Sequence, residues 1–161
     1  MFGALKSRLT VPRRASRRRD DVLAECSDLA RLDRLRRHAR DRDTRQRADA
    51  RYRALLVGGD VSLRVDDRIA AVEVCSDDAV LAYVARSARE ESVRRAALVR
   101  LRSERVLMEV ALNDPIARLR RYAVAMMHDI ELLQQVLDRG HPDDPRIARD
   151  AGRRLRELQA C

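Results

Sequence analysis

Apolar positions along this chain return in a repeating pattern with a period of about 26 residues. Asp77, Ser103 and Asp129 share one column, followed by Val80, Val106 and Leu132, then Leu81, Leu107 and Leu133, then Val84, Val110 and Val136. The second half of the unit repeats as well, with Val93 matching Leu119, Ala97 matching Ala123 and Leu101 matching Met127. A two-residue insertion between Gly140 and Asp144 shifts the last copy to Ile147, Ala151 and Leu155. Self-similarity at a fixed interval is the mark of a repeat architecture, and it organises residues 77 to 155 into three copies.

Within a copy, Val80, Leu81 and Val84 mark one helical face at i, i+1 and i+4, while Val93, Ala97 and Leu101 mark another at i, i+4 and i+8. Two short amphipathic helices per unit are therefore predicted. Asp or Ser in the first column is placed to cap the first helix by accepting hydrogen bonds from its unpaired N–H groups. Asp114-Pro115 and Asp144-Pro145 set a capping acid before a proline, whose missing N–H costs nothing in a first turn, and predict the start of the second helix in two units. Small Ala97, Ala123 and Ala151 in mid-helix allow the paired helix to approach closely. The predicted unit is a helical hairpin of about 26 residues.

A weaker copy precedes these three, in which Asp28 matches Asp77, Leu32 and Leu35 match Leu81 and Val84, Ala48 matches Ala97, and Tyr52 replaces Leu101. Residues 51 to 75 read as a shortened unit between them, broken at Gly58-Gly59, with Val65, Ile69 and Val72 as the inner face of one helix. The expected fold class is all-α, an α-solenoid of four to five stacked antiparallel helical hairpins over residues 22 to 161. Residues 1 to 21 precede it as a basic arm, disordered or amphipathic.

Composition agrees with this pattern. Aromatic residues make up 2% of the 161 positions, Trp is absent and Gly numbers five, which argues against sheet folds built from aromatic and β-branched strands. Charged residues at 38% and apolar residues at 45% fit a soluble helical domain rather than a disordered chain. No run approaches the roughly 18 to 20 apolar residues that span a bilayer. Nor does an apolar stretch of about 7 to 15 residues follow the basic start, as a secretory signal requires. Cys26, Cys75 and Cys161 are widely spaced and odd in number, so neither a disulfide framework nor a zinc site is expected, and a reducing cytoplasm is the expected location.

The second helices carry a resemblance. Glu91-Ser92-Val93-Arg94-Arg95-Ala96-Ala97-Leu98, Asp114-Pro115 with Leu119-Arg120-Arg121-Tyr122-Ala123, and Arg146-Ile147-Ala148-Arg149-Asp150-Ala151 resemble the acid, proline, aliphatic-Arg and alanine pattern of short HEAT-like repeats. Together, residues 27 to 158 are similar to the N-terminal repeat array of a poorly characterised bacterial family in which a long coiled coil follows. The sequence reaches Cys161 without entering such a coiled coil. The resemblance implies the fold, with scaffolds and binding surfaces as the usual roles and DNA-repair glycosylases or pigment-attachment lyases as a minority.

Charge changes the functional picture. The net charge is +9, and all of it falls in residues 1 to 56; residues 57 to 161 balance 18 arginines against 18 acids. Seven cations, Lys6, Arg8, Arg13, Arg14, Arg17, Arg18 and Arg19, stand in the arm with no acid among residues 1 to 19. The 34 arginines to one lysine reflect codon usage in a GC-rich genome more simply than phosphate recognition. Arg94 and Arg95 recur as Arg120 and Arg121, which aligns two basic rows across neighbouring second helices. Two readings of these rows stay open: an internal ladder to acids of the adjacent unit, or a surface for phosphates or an acidic partner.

Other candidates are weaker. His38, His128 and His141 lie in different units without a metal-ligand spacing, and they read as solvated side chains. Gly58-Gly59 lacks the Lys-Ser/Thr of a phosphate loop, and neither Ser nor Cys has a nucleophile motif. Asp77-Asp78, Glu90-Glu91 and Asp143-Asp144 sit where helix starts favour negative charge. Tyr83 and Tyr122 offer base stacking but read more simply as partial core. Phe2, Leu5 and Leu9 give the arm an apolar edge, so it fits an anionic membrane surface, nucleic-acid phosphates or a mitochondrial presequence. The resulting expectation is a non-enzymatic adaptor of the bacterial cytoplasm without cofactor or metal, binding a protein through its second helices. The alternative is a nucleic-acid-binding module using the arm with Arg36, Arg37, Arg45, Arg94 and Arg120.

Overall fold

The computed structural model describes residues 22 to 60 and 63 to 160, and every regular element among them is an α-helix. The basic arm lies outside the described residues. In chain order the helices are α1 (Leu29–His38), α2 (Arg42–Leu56), α3 (Val65–Glu73), α4 (Asp78–Ser87), α5 (Glu91–Arg100), α6 (Glu104–Asn113), α7 (Ala117–Met126), α8 (Ile130–Arg139) and α9 (Arg146–Gln159). None is long and apolar enough to cross a membrane. They divide between two compact units, one ending at Arg51 and the other beginning at Tyr52, with α2 contributing to both.

In the first unit α1 starts where Asp28 accepts a hydrogen bond from the Arg31 N–H at 2.9 Å, and it ends on Arg36, Arg37 and His38, where cations suit the negative helix end. Leu32 and Ala48 are fully buried, as the weak copy predicts, while Leu35 is half-buried.

In the second unit α4, α6 and α8 begin at Asp78, Glu104 and Ile130, evenly spaced by the interval of the sequence pattern, and α5 and α7 keep that interval at Glu91 and Ala117. Gly140, with φ of 58°, ends α8 in the left-handed region open to glycine and delays α9. Packing follows this order. α4 packs on α5, α6 on α7 and α8 on α9, while α3, α5, α7 and α9 touch in succession, as do α4, α6 and α8. Most of the predicted columns are core: Leu81, Leu107, Leu133, Val84, Val110, Val136, Val93, Leu119, Ile147 and the three mid-helix alanines are buried, whereas Leu132, in the column of Val80 and Val106, is half-buried. Each large side chain so removed from water contributes about 1.5–3 kcal/mol.

Three local expectations are corrected. Ser103 occupies the cap position of α6 without a side-chain bond, although Asp77 and Asp129 do cap α4 and α8. Asp114 accepts from the Ile116 N–H at 2.8 Å and shapes the turn while also receiving Arg94, but α7 starts only at Ala117, with Ile116 in the cap position. On α3, Val72 is buried, yet Val65 and Ile69 are half-buried, and the second inner position belongs to Arg68.

Candidate functional site

Adjacent helical residues point about 100° apart, so an Arg-Arg pair cannot place both side chains on one face. Arg94 stands three residues before Ala97 and four before Leu98, on the buried stripe; Arg120 stands likewise before Ala123 and Val124. Both are buried, at 6% and 5% exposure. Arg94 donates from Nε and Nη2 to the Asp114 carboxylate at 2.9 and 3.3 Å, and from Nη1 to the backbone carbonyls of Ala88 and Arg89 at 2.7 and 3.1 Å. Arg120 repeats this, donating to Asp144 at 2.8 Å and to the carbonyls of Asp114 and Pro115 at 2.8 and 3.3 Å.

The same device appears twice more. Arg68, one repeat before Arg94, donates to Glu90 at 3.0 Å and to the carbonyls of Asp60 and Leu63. Arg45, which the weak early copy aligns with Arg94, holds the carbonyls of Ala39 and Arg40 at 2.7 and 3.1 Å. Each of these arginines ties the carbonyls just before its own helix, and three also reach an acid from a following segment. Asp144 is held below the ordinary carboxylate value of 3.8, chiefly by the hydrogen bond from Arg120, which outweighs the opposing effect of burial.

The inner arginines are therefore structural. Arg36 is engaged similarly: its side chain is 5% exposed and pairs with Asp33 at 2.8 Å. Arg37 is exposed and shares Asp33. Of the candidate residues in the two rows, Arg95 and Arg121 face solvent. The matching position on α9 is Arg149, also exposed, whereas the ladder position there is Ala148.

These outer arginines belong to a larger basic face. Helices α5, α7 and α9 hold eleven arginines against three acids, a net charge of +8. Arg94 and Arg120 are neutralised inside by Asp114 and Asp144, which leaves nine arginines against Glu91, Asp150 and Glu157 on these helices. Two grooves run along this face. One, of about 990 Å3, has Ile69, Val99 and Tyr122 beside three glutamates, Glu73, Glu90 and Glu91, and two arginines, Arg95 and Arg118. The other, of about 650 Å3, is walled by Arg121, Arg146, Arg149, Arg153 and Arg156.

The two tyrosines do not offer open ring faces on both sides. The Arg95 guanidinium lies 5.2 Å from the Tyr122 ring centre and Arg53 lies 5.6 Å from that of Tyr83, both within cation–π range. His38 and His128 are exposed, and the Nδ1 of half-buried His141 accepts from the Asp143 N–H. Among the described residues no three His, Cys, Asp or Glu side chains form a metal-holding group. Cys75 is buried and Cys26 half-buried, both as free thiols.

Arg68 and the α9 stripe stand outside the expected site residues, although local spacing marks both. Arg68 shares the repeat column of Arg94 and Arg120. Arg146, Arg149, Arg153 and Arg156 are spaced three, four and three residues apart, opposite Ile147, Ala151 and Leu155. The chain matches no family model, no curated protein and no solved structure. Among the described residues, fold and site define the class on their own terms: an all-helical protein with exposed arginines on successive helices.

Proposed function

We propose that the chain is a non-enzymatic binding module, a HEAT-like α-solenoid of hairpins of about 26 residues, which captures a protein partner through the outer arginines of its second helices. The equal spacing of the helix starts and the successive packing of α3, α5, α7 and α9 support the repeat reading. The observation that carries the functional reading is the exposed row of Arg95, Arg121 and Arg149, beside inner arginines already committed to Asp114 and Asp144.

An acidic protein fits this face better than a nucleic acid. Glu73, Glu90, Glu91, Asp150 and Glu157 interrupt the positive surface, which disfavours a continuous phosphate backbone but leaves discrete carboxylates room to pair. Arginine also covers one face of each of the two tyrosines that single-stranded bases would use.

The test is affinity capture with the full chain and with a variant carrying Arg95→Glu, Arg121→Glu and Arg149→Glu. The expected result is a nuclease-resistant protein partner retained by the native chain and lost by the variant. Capture that survives the three substitutions, or that nuclease abolishes, would overturn the reading.

A further inference from the structure

The groove beside α9 differs from the rest of the basic face. Five arginines wall it and the one carboxylate among them, Asp150, is already held by Arg153 at 2.9 Å. Arg121, Arg146, Arg149 and Arg156 donate no side-chain hydrogen bond to any described residue. The space is open because α9 has Ala148 at the ladder position and Gly152 one turn later. A Cβ on Gly152 would meet Leu137 and Arg156 only at ordinary contact distances, 3.6 and 3.7 Å.

We propose that this groove is the docking site of an acidic helical segment of a partner protein. The inference rests on the reading of the second-helix face as a protein-binding surface and names the place and chemistry of the contact. Charge complementarity carries it, because guanidinium groups bind carboxylates through paired, directional hydrogen bonds. Period carries it further. Arg146 to Arg156 form a stripe about 15 Å long with three-and-four spacing, and a helix bearing Glu at the same spacing presents its carboxylates to that stripe turn by turn. Leu137 and Ala148 give the apolar side of such a segment a surface to cover.

The experiment titrates the full-length protein with a labelled Glu-rich helical peptide at i, i+3, i+7 and i+10, followed by fluorescence anisotropy. A peptide of the same composition broken by central prolines and an oligo-dT strand are run beside it. The native protein is expected to bind the helical peptide with an affinity that falls as salt rises. Arg146→Glu with Arg149→Glu should weaken that binding at least tenfold, as should Gly152→Glu alone, with thermal melting unchanged. Arg102→Glu with Arg105→Glu, an exposed pair of cations at the start of α6 and away from the second helices, should leave it within twofold.

Absence of binding overturns the inference, as does equal binding by the α9 variants, which would place the contact elsewhere, including the basic arm. Equal binding of the broken peptide refutes the helical occupant, and tighter oligo-dT binding lost with the α9 substitutions assigns the groove to nucleic acid. If partner capture depends on Arg95, Arg121 and Arg149 while peptide binding ignores the α9 pair, the protein-binding reading stands and this site falls.

Discussion

Replacing Asp114 by Asn keeps the shape of the side chain and removes the charge that Arg94 faces. In the native chain the pair is almost wholly desolvated, with side-chain exposures of 8% and 3%. A guanidinium does not shed its proton, so the variant leaves a buried cation whose two bonds at 2.9 and 3.3 Å now meet an amide with one acceptor and one donor group. Breaking a buried pair from one side costs about 3–5 kcal/mol. A domain of this size has a total stability of about 5–15 kcal/mol. At about 2–4 °C per kcal/mol the melting temperature should fall by roughly 6–20 °C, read by far-UV circular dichroism.

Glu91→Gln supplies the control. It breaks a pair of similar length, Arg118 to Glu91 at 2.6 Å, but the Arg118 side chain is 74% exposed, and such pairs contribute at most about 1 kcal/mol. If Asp114→Asn is no more damaging than Glu91→Gln, the ladder has been misjudged. A second variant separates charge from backbone closure. Arg94→Met with Asp114→Leu removes both charges, which is nearly neutral for an isolated pair. Here it also strips the buried carbonyl of Ala88, and the part-buried carbonyl of Arg89 and N–H of Ile116, of their partners, so a deficit of about 1–3 kcal/mol from the Ala88 carbonyl should remain.

Three further outcomes follow from single positions. Leu107→Asp places a charge at a site 3% exposed in the repeating column, and it should abolish cooperative unfolding or lower the melting temperature drastically. Gly58→Ala should cost about 1–3 kcal/mol, because φ is +89° and the added methyl would lie 3.1 Å from Arg68 Nη1 and 3.2 Å from Glu90 Oε2; Gly140→Ala meets no atom, but φ of 58° with ψ of −163° is a conformation kept for glycine, so it too should cost about 1–3 kcal/mol. Asp144 has a folded pKa below its ordinary 3.8, so its contribution is complete above that value and disappears as pH falls through the folded one. The gap in melting temperature between native and Asp144→Asn proteins should accordingly be full near neutrality and close in acid, and a gap independent of pH would refute the assignment.

Much of the helical framework was legible because burial recurs at one fixed interval and the columns Leu81, Leu107 and Leu133 have one chemistry. Helix starts were less so. A carboxylate before proline can serve the turn and receive an arginine at once, as Asp114 and Asp144 both do, yet α7 begins at Ala117 and α9 at Arg146, so the dipeptide does not fix the helix start. On α3 the apolar period favoured Val65 and Ile69, yet Arg68 takes the inner place because Glu90 and two carbonyls satisfy its charge there. The α9 stripe was hidden by averaging, since acids elsewhere in residues 57 to 161 cancel its arginines in any linear sum.

The Arg-Arg pairs explain how one short motif serves two ends. At 94 and 120 the guanidinium sits inside and its loss unravels a junction; at 95 and 121 it lies outside. Surface substitutions away from special contacts usually change stability by less than about 0.5 kcal/mol each. Arg95→Glu, Arg121→Glu and Arg149→Glu together should therefore leave the melting temperature within a few degrees, while Arg94→Ala alone should lower it by more than all three. The ranking is steep enough to read in a single thermal scan. If the outer triple proves as destabilising as the inner single change, the two rows are not separate in function, and the exposed arginines are part of what holds the helices together.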